Sequence, residues 1–409
     1  MSATSVLPKV APVRVGEGER LRSVGLPGIT LTVRSRPPAR EGLSSALYVH
    51  GLGGSSQNWS QLMERLDGVV DSEALDLPGF GDSPPPDDGD YSVTGHARAV
   101  IRYLDAAGRG PVHLFGNSLG GAVTTRVAAV RPDLVRSLTL VSPALPEIRV
   151  QRTAVPTALL GVPGVARLFT RLTREWTAEQ RVRGVLALCY GDPGQVSPEA
   201  FRHAVEELER RLQLPYFWDV MTRSSRGLVN AYTLGGQHGL WRQAERVLAP
   251  TLLVYGGRDQ LVGYRMAQRA ARAFRDARLL SLPDAGHVAM MEYPETVASA
   301  FLELLGELGE LGELGERGGI GAGVGVDGVR VDGSGALDGA RLTGREASEA
   351  LGGARVVGSE ASGGAGGTAA EVSGDADAVS AAASDGGVGA GGAGGARDDG
   401  GADDASAGS

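Results

Sequence analysis

The sequence predicts an α/β fold: a mostly parallel sheet with helices on both faces. Three observations predict it. Strand-like runs alternate with helix-period segments over residues 29–144 and again over 249–305. The strand runs are continuously apolar, as strands buried on both faces are. Between the two blocks, over residues 145–236, the strand signal disappears and helical patterns take over.

The elements follow in order. "ITLTVRS" (Ile29–Ser35) and "SALYVHG" (Ser45–Gly51) read as strands. "SQNWSQLMERLDGV" places Leu62, Met63, Leu66 and Val69 on one side of a helix. "SEALDLPGFGDS" is a short strand running into a loop rich in glycine and proline. "SVTGHARAVIRYLDAAG" is a helix stopped by a glycine, "PVHLFGNS" a buried strand, "LGGAVTTRVAAVRPDLV" a helix and "RSLTLVSPA" a strand. The second block repeats the alternation, with strands at "APTLLVYGG" and "ARLLSLPDAGH" and helices at "GYRMAQRAARAFRD" and "PETVASAFLELLG".

Three helical patterns fill the intervening stretch: "PTALLGVPGVARLFTRLT", "AEQRVRGVLALCY" and "SPEAFRHAVEELERRLQ". Inserted in an α/β domain, such a stretch reads as a lid over the C-terminal strand ends, where pockets in these sheets lie. A plain packing subdomain is the competing reading. The expected organisation is a core over residues 15–144 and 237–305, a lid over 145–236, and a low-complexity tail over 306–409.

Composition supports that division. Residues 318–409 contain no Pro, aromatic, Met or His, and cannot bury enough apolar surface to offset chain entropy. The tail is therefore expected to be disordered. It carries 14 acids and 5 arginines, so all of the formal net negative charge of −8 belongs to it. The body, with 35 basic and 34 acidic residues, lacks the basic footprint of a nucleic-acid binder. Cys189 is alone, which excludes an intrachain disulfide and argues against a cysteine metal site. No secretion signal opens the chain, and no apolar run reaches membrane-spanning length. The expected location is the cytoplasm.

The chemistry centres on "GNSLGG". Ser118 stands where a strand pattern gives way to a helix pattern, with Gly116 and Gly120 two residues to either side. A nucleophile elbow needs that context and those small neighbours. G-x-S-x-G alone arises easily in a glycine-rich chain, so the partners decide. A serine hydroxyl needs a base. Of the six histidines, His287 ends "SLPDAGH", just past a late strand and at the same sheet edge as Ser118. Asp259, in "LLVYGGRDQLV", follows the preceding strand and supplies the carboxylate that orients the base. Asp284 is its rival. The order Ser, Asp, His at three strand ends is hard to obtain by accident.

These motifs resemble the α/β-hydrolase family, of the lid-bearing α/β-hydrolase-1 type. "HGLGGSSQNW" (His50–Trp59) resembles its oxyanion loop, "DLPGFGDS" its next glycine-rich loop, and "GNSLGG", "GGRDQLV" and "PDAGH" its elbow, acid and histidine loops. The resemblance spans residues 15–305. It implies an eight-stranded sheet with an antiparallel early strand, no metal or organic cofactor, and an oxyanion hole formed by the N–H groups of Leu52 and Leu119. The implied substrate is a small molecule met by acyl transfer. Gly51, Asn117 and Val288 beside these groups, with Tyr216, Phe217 and Trp218 from the lid, are the candidate pocket lining.

Serine at the elbow argues against dehalogenase and epoxide hydrolase chemistry. A carboxylic ester hydrolase acting on a largely apolar substrate is the leading expectation. "GNS" and "NW" also resemble C–C bond hydrolases of the meta-cleavage type, although those carry tryptophan where Val288 follows the histidine. Cofactor-free haloperoxidase or perhydrolase chemistry is a weaker branch, and a non-catalytic binding protein on the same fold is the alternative class. Oligomeric state stays open.

Overall fold

A computed structural model of the protein describes residues 14–147, 151–162, 164–233 and 235–310. The N-terminal residues read for a secretion signal, and the tail beyond residue 310, lie outside the described residues.

Eight strands form one sheet: β1 (Arg20–Leu26), β2 (Ile29–Ser35), β3 (Ser45–Val49), β4 (Asp71–Leu75), β5 (Val112–Asn117), β6 (Val135–Val141), β7 (Thr251–Gly256) and β8 (Ala277–Leu282). Their spatial order is β1-β2-β4-β3-β5-β6-β7-β8. β1 and β2 run antiparallel to their neighbours, and β3 to β8 are parallel. α1 (Ser60–Arg65) lies between β3 and β4, α2 (Val93–Ala107) between β4 and β5, and α3 (Leu119–Val130) between β5 and β6. Five helices then follow β6: α4 (Val155–Leu159), α5 (Val165–Leu172), α6 (Ala178–Cys189), α7 (Pro198–Leu212) and α8 (Phe217–Thr233). α9 (Leu240–Ala244) precedes β7, and α10 (Met266–Ala273), α11 (Ala289–Glu292) and α12 (Pro294–Glu307) complete the helices of the described residues.

Strand alternation divides the core. Leu47, Val49, Leu114, Leu140 and Leu253 face a cluster shared with α2 and α3, including Val100, Tyr103, Ala122 and Val127. Their neighbours Tyr48, Phe115, Val141, Leu252 and Val254 face a second cluster with α1 and α12, including Leu62, Met63, Phe301 and Leu305. Adjacent side chains point to opposite faces of a strand, so a continuously apolar run is the pattern that two covered faces require. On the second face Phe115 lies 4.3 Å from Tyr48 and 4.9 Å from Phe301, ring centre to ring centre. The long core helix α2 is bounded as local chemistry dictates. Ser92 caps α2 by accepting from Gly95 N–H at 3.0 Å, and Gly108 ends it at φ 60°.

One strand has no apolar signal. β1 pairs with β2 through a Pro27–Gly28 turn, yet "RLRSVGL" is charged and largely exposed because it is an edge strand. At the other end α12 continues to Glu307, and Glu310 lies 3.2 Å from His113 Nε2 and 3.5 Å from Arg136.

The strand order has a consequence for function. The chain passes from β3 to β4 on one side, then crosses to place β5 on the other. Loops leaving β3 and β5 therefore flank a switch point, where the C-terminal edges of an open parallel sheet leave a crevice. No helix among the described residues is long and apolar enough to cross a membrane.

Candidate active site

Ser118 joins β5 to α3 with φ 53° and ψ −116°. For a residue with a side chain this is costly, about 1–3 kcal/mol, and the surroundings enforce it. Ser118 N–H donates to Val141 at 3.1 Å, and its carbonyl accepts from Ala122 at 3.1 Å and Ala144 at 2.9 Å. The flanking glycines are obligatory. A Cβ on Gly116 would stand 2.3 Å from Thr124 Oγ1, and one on Gly120 only 2.2 Å from the Val49 carbonyl. Gly121 is similarly pressed on Pro143, at 2.7 Å. Every residue from Val112 to Ala128 is buried except Ser118. The bend presents one hydroxyl and little else.

His287 and Asp259 meet on the same sheet edge. His287 Nδ1 lies 2.9 Å from Asp259 Oδ2, and both residues are buried. The other carboxylate oxygen of Asp259 accepts from the N–H groups of Leu261 at 2.8 Å and Val262 at 2.9 Å. Burial pushes the Asp259 carboxyl up, but His287 and these hydrogen bonds outweigh it and hold the pKa below the ordinary value. An ionised Asp259 fixes the His287 proton on Nδ1 and leaves Nε2 as the basic nitrogen. Asp284, the rival acid, is exposed and pairs with Arg258 at 2.6 Å. Among the described residues no hydrogen bond joins Ser118 Oγ to His287 Nε2, a contact that need not be short before substrate is bound for the pair to act together.

The loop after β3 completes the arrangement. His50 is fully buried; its Nε2 accepts from Leu77 N–H at 3.0 Å, so Nδ1 carries the proton and donates to the Gly51 carbonyl at 2.7 Å. Burial lowers the His50 pKa to about 3, so it stays neutral. In a trans peptide the C=O and N–H point in opposite directions. With the Gly51 carbonyl turned toward His50, the Leu52 N–H of the same peptide faces away from it. Gly51 also lies against the elbow, since a Cβ there would be 2.9 Å from Asn117 Oδ1 and 3.1 Å from Ser118 Cβ. Leu119 opens α3, so its N–H has no acceptor within the helix and lies at the positive end of the helix dipole.

Three contacts tie the site to its surroundings, and the sequence pattern assigns none of them. Asn117 Nδ2 donates to the carbonyls of Val141 at 3.1 Å and His287 at 3.0 Å, joining the elbow to the histidine loop. Glu292 accepts from Gly191 N–H at 2.7 Å and Gly286 N–H at 2.8 Å, and His287 N–H donates to the Cys189 carbonyl at 2.7 Å. Thus the end of α6 is bound to the histidine loop. Arg211 of α7 donates to the Gly53 carbonyl at 2.7 Å and Ser55 Oγ at 2.8 Å, while Glu207 holds its Nε at 2.7 Å. Only the "HGLGG" and "PDAGH" motifs flag the recipients of these bonds; the donors and acceptors on the helices carry no local signature.

Above the β3 and β4 loops, Gly53, Gly79, Phe80, Leu214, Phe217 and Met221 enclose a small cavity. The expected lining residues separate here. Phe217 lines this cavity, Tyr216 packs against the first core cluster, and Trp218 meets Phe169 edge to face with ring centres 5.9 Å apart. Val288 is buried in the second cluster, and Asn117 spends its amide nitrogen on backbone carbonyls.

A family model described as alpha/beta hydrolase fold matches residues 47–294, more than half of the chain. The chain belongs to the α/β hydrolase fold family. Among similar proteins is the dihydrolipoyllysine-residue acetyltransferase component of an acetoin cleaving system from Cupriavidus necator. It is 30% identical over 254 residues, which are 61% of this chain and 60% of that protein. The chain thus spans less than two thirds of that relative. A pimeloyl-[acyl-carrier protein] methyl ester esterase from Neisseria meningitidis is 26% identical over 66% of this chain and 97% of its own length. A solved meta-cleavage product hydrolase from Pseudomonas fluorescens shares the fold, with TM-score 0.56 and 18% identity over 70% of this chain and 98% of that one. In this α/β hydrolase, Ser118, Asp259 and His287 stand at the ends of β5, β7 and β8.

Proposed function

We propose that the protein is a serine hydrolase cleaving carboxylic esters, with Ser118 as nucleophile, His287 as general base and acid, and Asp259 as the orienting carboxylate. The observation that carries this reading is the pairing of a strained, solvent-contacting Ser118 with a buried His287–Asp259 hydrogen bond on one sheet edge. Ser118 Oγ attacks the carbonyl carbon as its proton passes to His287 Nε2. The oxyanion is held by the N–H groups of Leu52 and Leu119, where preorganised donors contribute most to such barriers. His287 then protonates the departing alcohol, and water attacks the acyl-enzyme by the same route to release the acid and restore Ser118. No cofactor enters these steps.

Residues 15–144 and 237–305 serve as the catalytic core, and 145–236 as a lid whose α7 and α8 meet the loops beside Ser118. The apolar side chains of Phe80, Leu214, Phe217 and Met221, gathered around a small cavity beside Gly53, favour a largely apolar substrate. The likeness to a methyl ester esterase over nearly that relative's whole length favours an ester over other carbonyl substrates.

A panel of p-nitrophenyl esters of increasing chain length, run beside a vinylogous 1,5-diketone, tests the reading. Ester turnover abolished in Ser118→Ala supports it. Cleavage confined to the diketone transfers the same triad to C–C bond hydrolysis. Turnover of neither substrate class by folded protein would favour a non-catalytic binding role.

A further inference from the structure

The first two helices between β6 and β7 wear their apolar stripes outward. In α4 and the turn after it, Val155, Leu159 and Val162 recur at helical spacing, and each is more than two-fifths exposed. In α5 the stripe is Leu168, Phe169 and Leu172, continued by Trp176; Leu172 is 72% exposed and Leu168 56%. Core helices of this protein do the reverse, as α2 buries Val93, Ala97, Val100 and Leu104. Isolated exposed apolar residues need no explanation, but two successive stripes of large side chains do.

The charge around them is one-sided. Residues 151–176 contain Arg152, Arg167, Arg171 and Arg174 and a single acid, Glu175. Glu175 pairs with Arg174 at 3.3 Å, and no ion pair engages Arg152, Arg167 or Arg171 among the described residues. The segment is nevertheless seated firmly from behind. Ser225 Oγ donates to the Thr157 carbonyl at 2.7 Å, and Arg226 Nε to the Gly161 carbonyl at 2.8 Å.

We propose that this arginine-edged apolar face of α4 and α5 docks on an anionic lipid surface, holding the protein at a membrane without crossing it. Helices with large apolar side chains beside arginines partition into the interface, and anionic headgroups add attraction for each cation. A second copy of the chain fits less well, because a two-fold contact would set this arginine cluster against itself. The acidic tail could offset the charge, but residues 318–409 hold no aromatic side chain and are mainly glycine and alanine, so they offer little to cover Leu168, Phe169 and Trp176.

The face is joined to the cavity by a chain of rings. Phe169 lies 5.9 Å from Trp218, and Trp218 5.1 Å from Phe217, which lines the cavity beside Gly53. A lipid surface at α5 would therefore connect through these rings to the cavity beside Gly53.

Co-sedimentation of the full chain with vesicles tests the proposal, and it needs no catalysis, so its failure is distinguishable from failure of the esterase reading. Vesicles of phosphatidylcholine with phosphatidylglycerol should retain the protein at least tenfold better than phosphatidylcholine alone, and high salt should reduce that advantage. Leu168→Asp/Leu172→Asp and Arg167→Gln/Arg171→Gln should each lose most of the binding, with far-UV circular dichroism and the unfolding midpoint verifying the fold. Absence of binding by the parent protein would overturn the proposal, as would binding indifferent to lipid charge or unaltered in both variants. Light scattering that finds a dimer split by the leucine variant would assign the face to a second copy instead.

Discussion

His50 donates its Nδ1–H to the Gly51 carbonyl at 2.7 Å, and so sets the direction of the peptide that carries the Leu52 N–H. The histidine is buried beneath the loop, and a ring that accepts from Leu77 has no freedom to turn. Gly54 N–H also donates to the Gly51 carbonyl, at 3.0 Å, so removing the imidazole should loosen the peptide while leaving Ser118, His287 and Asp259 in place. His50→Ala is expected to lower kcat on a soluble ester by about a hundredfold, the low end for loss of one oxyanion donor. KM should change little, since the ground-state carbonyl depends less on that donor. Steady-state kinetics on a p-nitrophenyl ester separate the two parameters.

Glu292 is expected to act as a clamp rather than as a catalyst. Its two oxygens hold Gly191 at the end of α6 and Gly286 beside His287. Glu292→Ala leaves both N–H groups without their acceptor and should cost about 2 kcal/mol of stability. It should also lower kcat/KM about tenfold by loosening the His287 loop. Burial pushes the Glu292 carboxyl up, so it protonates at a higher pH than an ordinary glutamate. Glu292→Gln, which keeps one acceptor, should recover part of the activity and flatten the acid limb of the pH profile.

The elbow tolerates no side chain at Gly120. A methyl there would meet the backbone carbonyls of Val49 and His50 at 2.2 and 2.5 Å, neither of which can rotate away. Gly120→Ala is expected to cost about 3 kcal/mol, the upper part of the range for overpacking. Urea unfolding at neutral pH measures it.

Acid should destabilise the protein through its buried histidines. Burial lowers both His50 and His96 from 6.5 to about 3. Between those values the unfolded chain binds more protons than the folded one, so stability rises with pH. Their contribution is complete above pH 6.5 and is lost as pH falls toward 3. At pH 5 the loss is about 2 kcal/mol per histidine. The raised carboxyls of Asp76 and Glu292 pull the other way, so the decisive comparison is with His96→Gln. Its unfolding free energy should fall less steeply between pH 7 and pH 5 than that of the parent protein.

Much of this was legible in the residues themselves. β2 begins and ends where "ITLTVRS" does, and Ser118, Asp259 and His287 all stand at strand ends as their motifs require. Those features depend on short-range signals: apolar continuity, punctuation by glycine, and position after a strand. β1 escaped because an exposed edge strand has no buried face to pattern, and only the Pro27–Gly28 turn marks it. Arg211, Glu292 and the Asn117 amide act across long sequence separations, 158 residues to Gly53, 101 to Gly191 and 170 to His287. Tyr216, Phe217 and Trp218 form one cluster in the sequence, but a helix sends successive residues in different directions. Only Phe217 of the three lines the cavity beside Gly53.

The central claim is that Ser118 becomes covalently acylated. Treating the folded protein with a fluorophosphonate and mapping the adduct by peptide mass tests it most directly. One adduct on Ser118, absent in Ser118→Ala and matched by loss of ester turnover, is the expected result. Folded protein that stays unlabelled, or an ester activity that survives Ser118→Ala, would contradict it.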